Sequence, residues 1–210
     1  MTFPAFFAQA PRLRLHDPLA ELLGSSDGGI LDYGYEDAVR LAGHSCAAVA
    51  GAWLMVRAGL DYLYDEDLPA RGGIEVYLRD SRDQGTTGVI AAIAGLLTGA
   101  AAETGFGGIG PRHQFARRDL LVFDADIDGC IGLCRRDNGR GVVVDIDTDC
   151  VPHAPEMKTL MPRVLSGPAS LEERRRFAEL WQDRVRRMLL EHADDPKLIH
   201  VYHWQPATGG

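Results

Sequence analysis

Leu41-Ala42-Gly43-His44-Ser45-Cys46-Ala47-Ala48-Val49-Ala50-Gly51-Ala52-Trp53-Leu54-Met55 is the stretch from which the rest of this 210-residue chain can be read. From Ala47 onward the residues are apolar and mostly small, which predicts a buried helix running from about 45 to 64. Its alanines and glycines let neighbouring backbone come close, so the helix is expected at the centre of the fold. His44 and Cys46 stand two residues apart at its start. A thiol there faces unpaired backbone N–H groups and the positive end of the helix dipole, which favour the thiolate. Thiolate and neutral imidazole are ligands that zinc prefers. The alternative is a buried cysteine packing as a small hydrophobe beside a hydrogen-bonded histidine.

Composition narrows the class of protein. A 46% apolar and 25% charged chain of this length can bury one core and belongs among ordinary globular proteins. A net charge of -8 without any basic stripe argues against a nucleic-acid surface. No apolar run approaches the ~18 residues of a membrane span. Met1 to Ala10 lacks a basic n-region, and Phe3 to Phe7 is too short for an h-region. The expectation is therefore a soluble, cytoplasmic protein. Cysteines at 46, 130, 134 and 150 match neither a CxxC pair nor a small disulfide scaffold.

The chain divides into an arm with short helices (1–40), a core (41–150) and a C-terminal extension (151–210). In the arm, Asp17-Pro18 predicts a helix start and Gly24 its stop. Ile74 to Arg79 alternates apolar and polar residues, the pattern of a strand with one wet face. Gly85-Thr86-Thr87-Gly88 then opens a second apolar helix, Val89 to Ala102, with a threonine cap. The glycine-dense Thr104 to Pro111 follows a helix and precedes a strand, the reverse of a dinucleotide fingerprint, so it is expected to shape a pocket wall or let two subunits approach. Leu120 to Phe123, Cys130 to Arg136 and Val142 to Asp147 are predicted strands, the last two joined by an Asn138-Gly139 hairpin. Cys130 and Cys134 share a strand face roughly 13 Å apart, too far to bond each other. Asp124-Ala-Asp126-Ile-Asp128-Gly129 begins like an EF-hand loop, but Arg135 stands where the bidentate Glu is required. Asp145, Asp147 and Asp149 are expected on the solvent side. The four prolines of 151–168 predict an extended crossing segment. Ser170 to Glu173 is a capping box for a last amphipathic helix, and 199–204 a final strand.

This order of helix, strand, helix and three strands, headed by Gly43-His44-Ser45-Cys46, resembles the family of the E-type subunit of formylmethanofuran dehydrogenase and its stand-alone bacterial relatives. Leu97-Thr98-Gly99, Ala116 to Leu120 and the Arg136 to Gly141 hairpin resemble further features of that family, over roughly residues 40–150. The resemblance implies an α+β core with a mixed or antiparallel sheet on two small-residue helices. It implies metal binding, usually zinc, by His44 and Cys46, a tendency to homodimerise, and a place near the pocket for Arg117. This chain departs from the family in lacking a cysteine before the second helix, another after Thr98-Gly99, and the appended zinc ribbon.

A catalytic zinc site commonly takes three protein ligands. The third candidate here is His113, followed by His16 and then Asp37. Two classes of function follow. One is a metal-dependent enzyme on a small anionic or formyl- or amide-type substrate held by Arg117 or Arg118, the metal activating water or polarising a carbonyl. The other is a non-catalytic protein that carries a metal or ligand, favoured by the scarcity of acid–base groups around the motif. Metal-free catalysis by Cys46 with His44 as base is a third reading, for which no oxyanion donor can be named. Zinc, nickel and iron all accept this ligand pair.

Overall fold

Seven strands and six α-helices are arranged in residues 2–206, the part of the chain that this computed structural model describes. β1 (Leu13–His16) and β2 (Ile30–Tyr33) form a small antiparallel sheet around α1 (Pro18–Leu22), and α2 (Tyr35–Ala42) leads into α3 (Ala47–Tyr64). Then come β3 (Ile74–Leu78), α4 (Thr87–Thr98), β4 (Leu121–Val122), β5 (Ile131–Arg135) and β6 (Gly141–Ile146). The chain closes with α5 (Met157–Ser166), α6 (Leu171–Leu190) and β7 (Ile199–Trp204). The main sheet has the order β4-β3-β5-β6-β7, with β4 parallel to β3 and every other pair antiparallel. This is the expected α+β fold with its mixed sheet.

α3 is central because it is apolar over most of its surface, with only Arg57 and the exposed Asp61 on a polar side. Trp53, Leu54, Val56, Leu60 and Leu63 are all buried, facing the sheet, α4 and α6. Two glycines set how closely it lies on the sheet: a Cβ at Gly51 would stand 2.7 Å from Ile146 Cδ1, and one at Gly59 2.6 Å from Leu133 Cδ1. At the far end the Arg135 guanidinium donates to Leu63 O at 3.1 Å, and Gly72 N–H donates to Thr98 O at 2.7 Å. Both bonds lie beside the start of β3, so the C-termini of α3 and α4 share that end and the two helices run parallel.

Three expectations are corrected. α4 ends at Thr98 and not at Ala102, because Gly99 takes the left-handed conformation (φ 76°) and the Thr98 hydroxyl bonds Ala94 O and Ala100 N–H. Its N-cap, Thr86, makes no side-chain capping bond. The segment 151–168 is not wholly extended. It contains α5, with Pro162 inside, because Met157, Leu160, Met161 and Val164 form an apolar stripe against Phe177, Leu180 and Trp181 of α6. Burying that stripe outweighs the backbone bond that Pro162 cannot donate.

The hairpin and the last helix follow their local signals. Gly139 is left-handed (φ 71°) and Asn138 Oδ1 accepts from Arg140 N–H at 2.9 Å. Ser170 Oγ accepts from Glu173 N–H, and Glu173 returns the bond to Ser170 N–H at 2.8 Å. Ser170→Ala is expected to lower stability by about 1 kcal/mol, measured by urea denaturation, with Ser170→Asp close to wild type. A larger loss from alanine would mean that α6 needs this end to stay docked.

Residues on both sides of each expected boundary share one core. Phe7, Leu15 and Tyr35 pack with Trp53, and Val185, Met188 and Leu198 pack with the same cluster. Among the described residues no helix is long and apolar enough to cross a membrane.

Candidate metal centre

The segment His44-Ser45-Cys46 is an elbow between two helices. Gly43 ends α2 in the left-handed region (φ 75°), donating its N–H to Val39 O, and Cys46 is the extended N-cap residue of α3. Between them Ser45 is held from two sides. Its carbonyl accepts from Trp181 Nε1 at 3.2 Å and from Gln182 Nε2 at 3.0 Å, both on α6. Its hydroxyl shares a 3.1 Å hydrogen bond with the Tyr35 hydroxyl. Tyr35 is itself fixed edge-on between Phe7 and Trp53. Burial, set against the Ser45 bond and joined by the nearby Cys46 charge, pushes the Tyr35 phenol well above its ordinary range.

His44 is exposed, and its Nδ1 lies 2.9 Å from Ala42 O. A carbonyl can only accept, so Nδ1 carries the proton of the neutral ring and the Nε2 lone pair is left free. Metal-ligating histidines have this arrangement, one nitrogen on a backbone carbonyl and the other on the ion. Cys46, two residues on, is half-buried and is a free thiol. The other cysteines are placed less favourably for a metal. Burial, with the bond to and charge of Asp145, pushes Cys130 up to about 11, and burial also raises Cys134.

His113 has the same tautomer, with Nδ1 on Gly107 O at 2.9 Å, but it stands on another flank. Its loop is tied to the segment just after α4, through Ala101 N–H to Arg117 O, and closes on itself through Arg117 N–H to Phe106 O. α4 and that loop flank β3 and β4, whereas α3, which carries Cys46, lies over β5, β6 and β7. The structure thus does not unite His44, Cys46 and His113: among the described residues no three His, Cys, Asp or Glu side chains gather as a metal group. The remaining ligand candidates are engaged elsewhere. His16 Nε2 meets Glu21 at 2.9 Å, and Asp37 accepts from Arg40 and from Gly34 N–H.

Arg117 is buried, and its guanidinium donates to Asp17 Oδ1 at 2.7 Å. Asp17 also caps α1 through Leu19 N–H and Ala20 N–H and takes Arg71 on its second oxygen at 2.8 Å. Burial alone would raise this carboxyl, but the Arg71 bond, the Arg117 charge and the Ala20 N–H together hold it below its ordinary range. Burial lowers Arg117, with Asp17 opposing. Arg117 is thus paired inside the fold with a carboxylate that it shares with Arg71, at the junction of the N-terminal arm, β3 and α4.

Sequence reasoning missed Tyr35, Trp181 and Gln182 as the residues that position the elbow. Trp181 was legible only as part of an apolar stripe; its indole N–H, which needs an acceptor when buried, was the available signal.

Comparison with known proteins adds little to this geometry. No family model and no curated protein matches the chain. Among solved structures it is similar to a tungsten formylmethanofuran dehydrogenase FmdE-like protein from Syntrophus aciditrophicus, at 15% identity and a TM-score of 0.42. The alignment covers 84% of this chain and 75% of that one. At that level the likeness passes no residue role to this chain.

Proposed function

We propose that this chain is a metal-binding protein that holds a divalent transition metal, zinc in the first place, through His44 Nε2 and Cys46 Sγ. The observation that carries the reading is the 2.9 Å contact of His44 Nδ1 with Ala42 O, which in the neutral ring leaves Nε2 as the nitrogen open to an ion. Imidazole and thiol fit zinc, nickel or iron in kind. Two protein donors leave coordination positions for a small molecule or for a second copy of the chain, so we also propose a homodimer, to be tested by light scattering of the eluting species. A zinc bound there would act as a Lewis acid toward whatever filled those positions. Free cysteines throughout suit a reducing compartment such as the cytoplasm.

Holding a metal is favoured over catalysing a reaction with it. The polar groups at the elbow are already used, since Ser45 and Tyr35 bond each other, and Arg117 is paired with Asp17 away from the elbow. The test is elemental mass spectrometry on protein purified without chelator or metal-affinity tag. Near-stoichiometric metal is expected, falling at least tenfold in both His44→Ala and Cys46→Ala. A folded wild type free of metal after incubation with zinc would end the proposal. Metal-dependent turnover of a formyl or amide substrate would replace the carrier reading with the enzymatic one.

A further inference from the structure

The face of the main sheet turned away from α3 carries a second feature, independent of the elbow. On it Gly132 of β5 has no side chain, and two groups settle onto the bare patch. A Cβ there would meet Trp204 Cζ3 at 3.2 Å and Ile127 Cδ1 at 3.5 Å. Trp204, on β7, is fixed by an edge contact with Tyr77 at 5.2 Å. Ile127 belongs to the loop between β4 and β5 and brings Asp126 and Asp128 to either side of it. Between these two walls lies a cleft of about 510 Å³, with Val143 and Asp145 of β6 on its floor and Tyr202 and Trp204 on its aromatic side. His203 completes the lining.

Three carboxylates face the cleft, and among the described residues none of them forms an ion pair with an arginine or lysine. Asp145 accepts from the Cys130 thiol at 2.8 Å, which leaves its second oxygen unbonded. Arg79, whose charge acts on Asp145 and Cys130, is itself bonded to Asp80 at 3.3 Å. The cleft therefore combines three carboxylates, none bonded to an arginine or lysine among the described residues, with aromatic faces and the apolar Val143 and Ile127. A bare metal ion makes no use of rings and methyl groups, and a neutral apolar molecule leaves the carboxylates without a partner. An ammonium group on an apolar body satisfies both, through charge-assisted hydrogen bonds to carboxylate and attraction to the ring faces. The volume lies within the range of small-molecule sites.

We infer that the cleft between Asp126–Asp128 and Tyr202–Trp204 binds a small organic amine in its cationic form. The probe is 2-phenylethylamine, with 2-phenylethanol as its neutral counterpart of matched shape, titrated into the full chain by calorimetry at low ionic strength. The amine is expected to bind at least tenfold more tightly than the alcohol. Asp126→Asn/Asp128→Asn together and Tyr202→Ala each weaken it about tenfold. These three positions are exposed, so the variants fold, and circular dichroism confirms it. Equal affinity for amine and alcohol, indifference to all these substitutions, or no binding of the amine at millimolar concentration overturns the inference. Calcium that binds in its place and is lost in the double Asn variant also overturns it, by making the loop an inorganic cation site.

Discussion

Asp17→Asn is expected to lower the stability of this protein by about 3–5 kcal/mol, although no boundary of the fold changes. The side chain keeps its shape and can still accept from Leu19 and Ala20 N–H, so the α1 cap survives. What disappears is the negative charge between two arginines, and Arg117 is left with its side chain only 8% exposed and no counter-ion. A pair broken on one side costs more than the intact pair contributes, because the remaining ion can neither reach water nor shed its proton. For a chain of this size the loss corresponds to a fall in Tm on the order of 10 °C. Asp17→Ala removes the cap as well and should add about 1 kcal/mol.

The pH dependence has a definite sign. Because the Asp17 carboxyl is held below its ordinary range, its contribution is complete above the unfolded-state value of about 4. Below that the unfolded chain takes up the proton first, so stability falls as pH drops toward the depressed folded-state value. Asp17→Asn should therefore be less stable than wild type at neutral pH, and the gap should narrow in acid. A loss under about 1 kcal/mol, or a gap that does not narrow, would mean that water reaches the Arg117 guanidinium.

Trp53→Ala carries the second large effect, about 3–5 kcal/mol. Trp53 is fully buried on α3, its indole N–H donates to Pro11 O at 3.0 Å, and its ring meets the edge of Tyr35 at 6.0 Å. It thus joins the central helix to the N-terminal arm and, through Tyr35, to Ser45. Trp53→Phe keeps most of the apolar volume and loses the hydrogen bond, so it should cost about 1–3 kcal/mol by leaving the Pro11 carbonyl without its donor. Both substitutions should expose residues 2–12 to limited proteolysis. If the arm stays protected in Trp53→Ala, the contacts of Phe3, Phe6 and Phe7 hold it without the tryptophan.

The local features of this chain were legible because their causes are local. The Asp17 cap with Pro18, the Ser170–Glu173 box, the Asn138-Gly139 turn and the alternation of Ile74 to Leu78 each depend on neighbours within a few residues. The largely apolar α3 named its own position, since a helix with only Arg57 and Asp61 charged along its length must bury most of its surface. α5 was hidden because Pro155 and Pro162 speak locally for extended chain, while the stripe that makes a helix of 157–166 has its partner on α6.

The candidate site divides in the same way. Sequence alone determined that His44 and Cys46 both lie in the short link that opens α3, since only Ser45 separates them. It also determined the α+β order and the central helix, through composition and periodicity. Only the tertiary structure decided that His113 lies on another flank, that Arg117 faces Asp17 across 100 positions of sequence, and that Trp181 and Gln182 clamp Ser45 from 136 and 137 residues away. Hydrogen bonds and ion pairs of that span are chosen by which surfaces the packing of helices on the sheet brings into contact. No spacing along the chain encodes them.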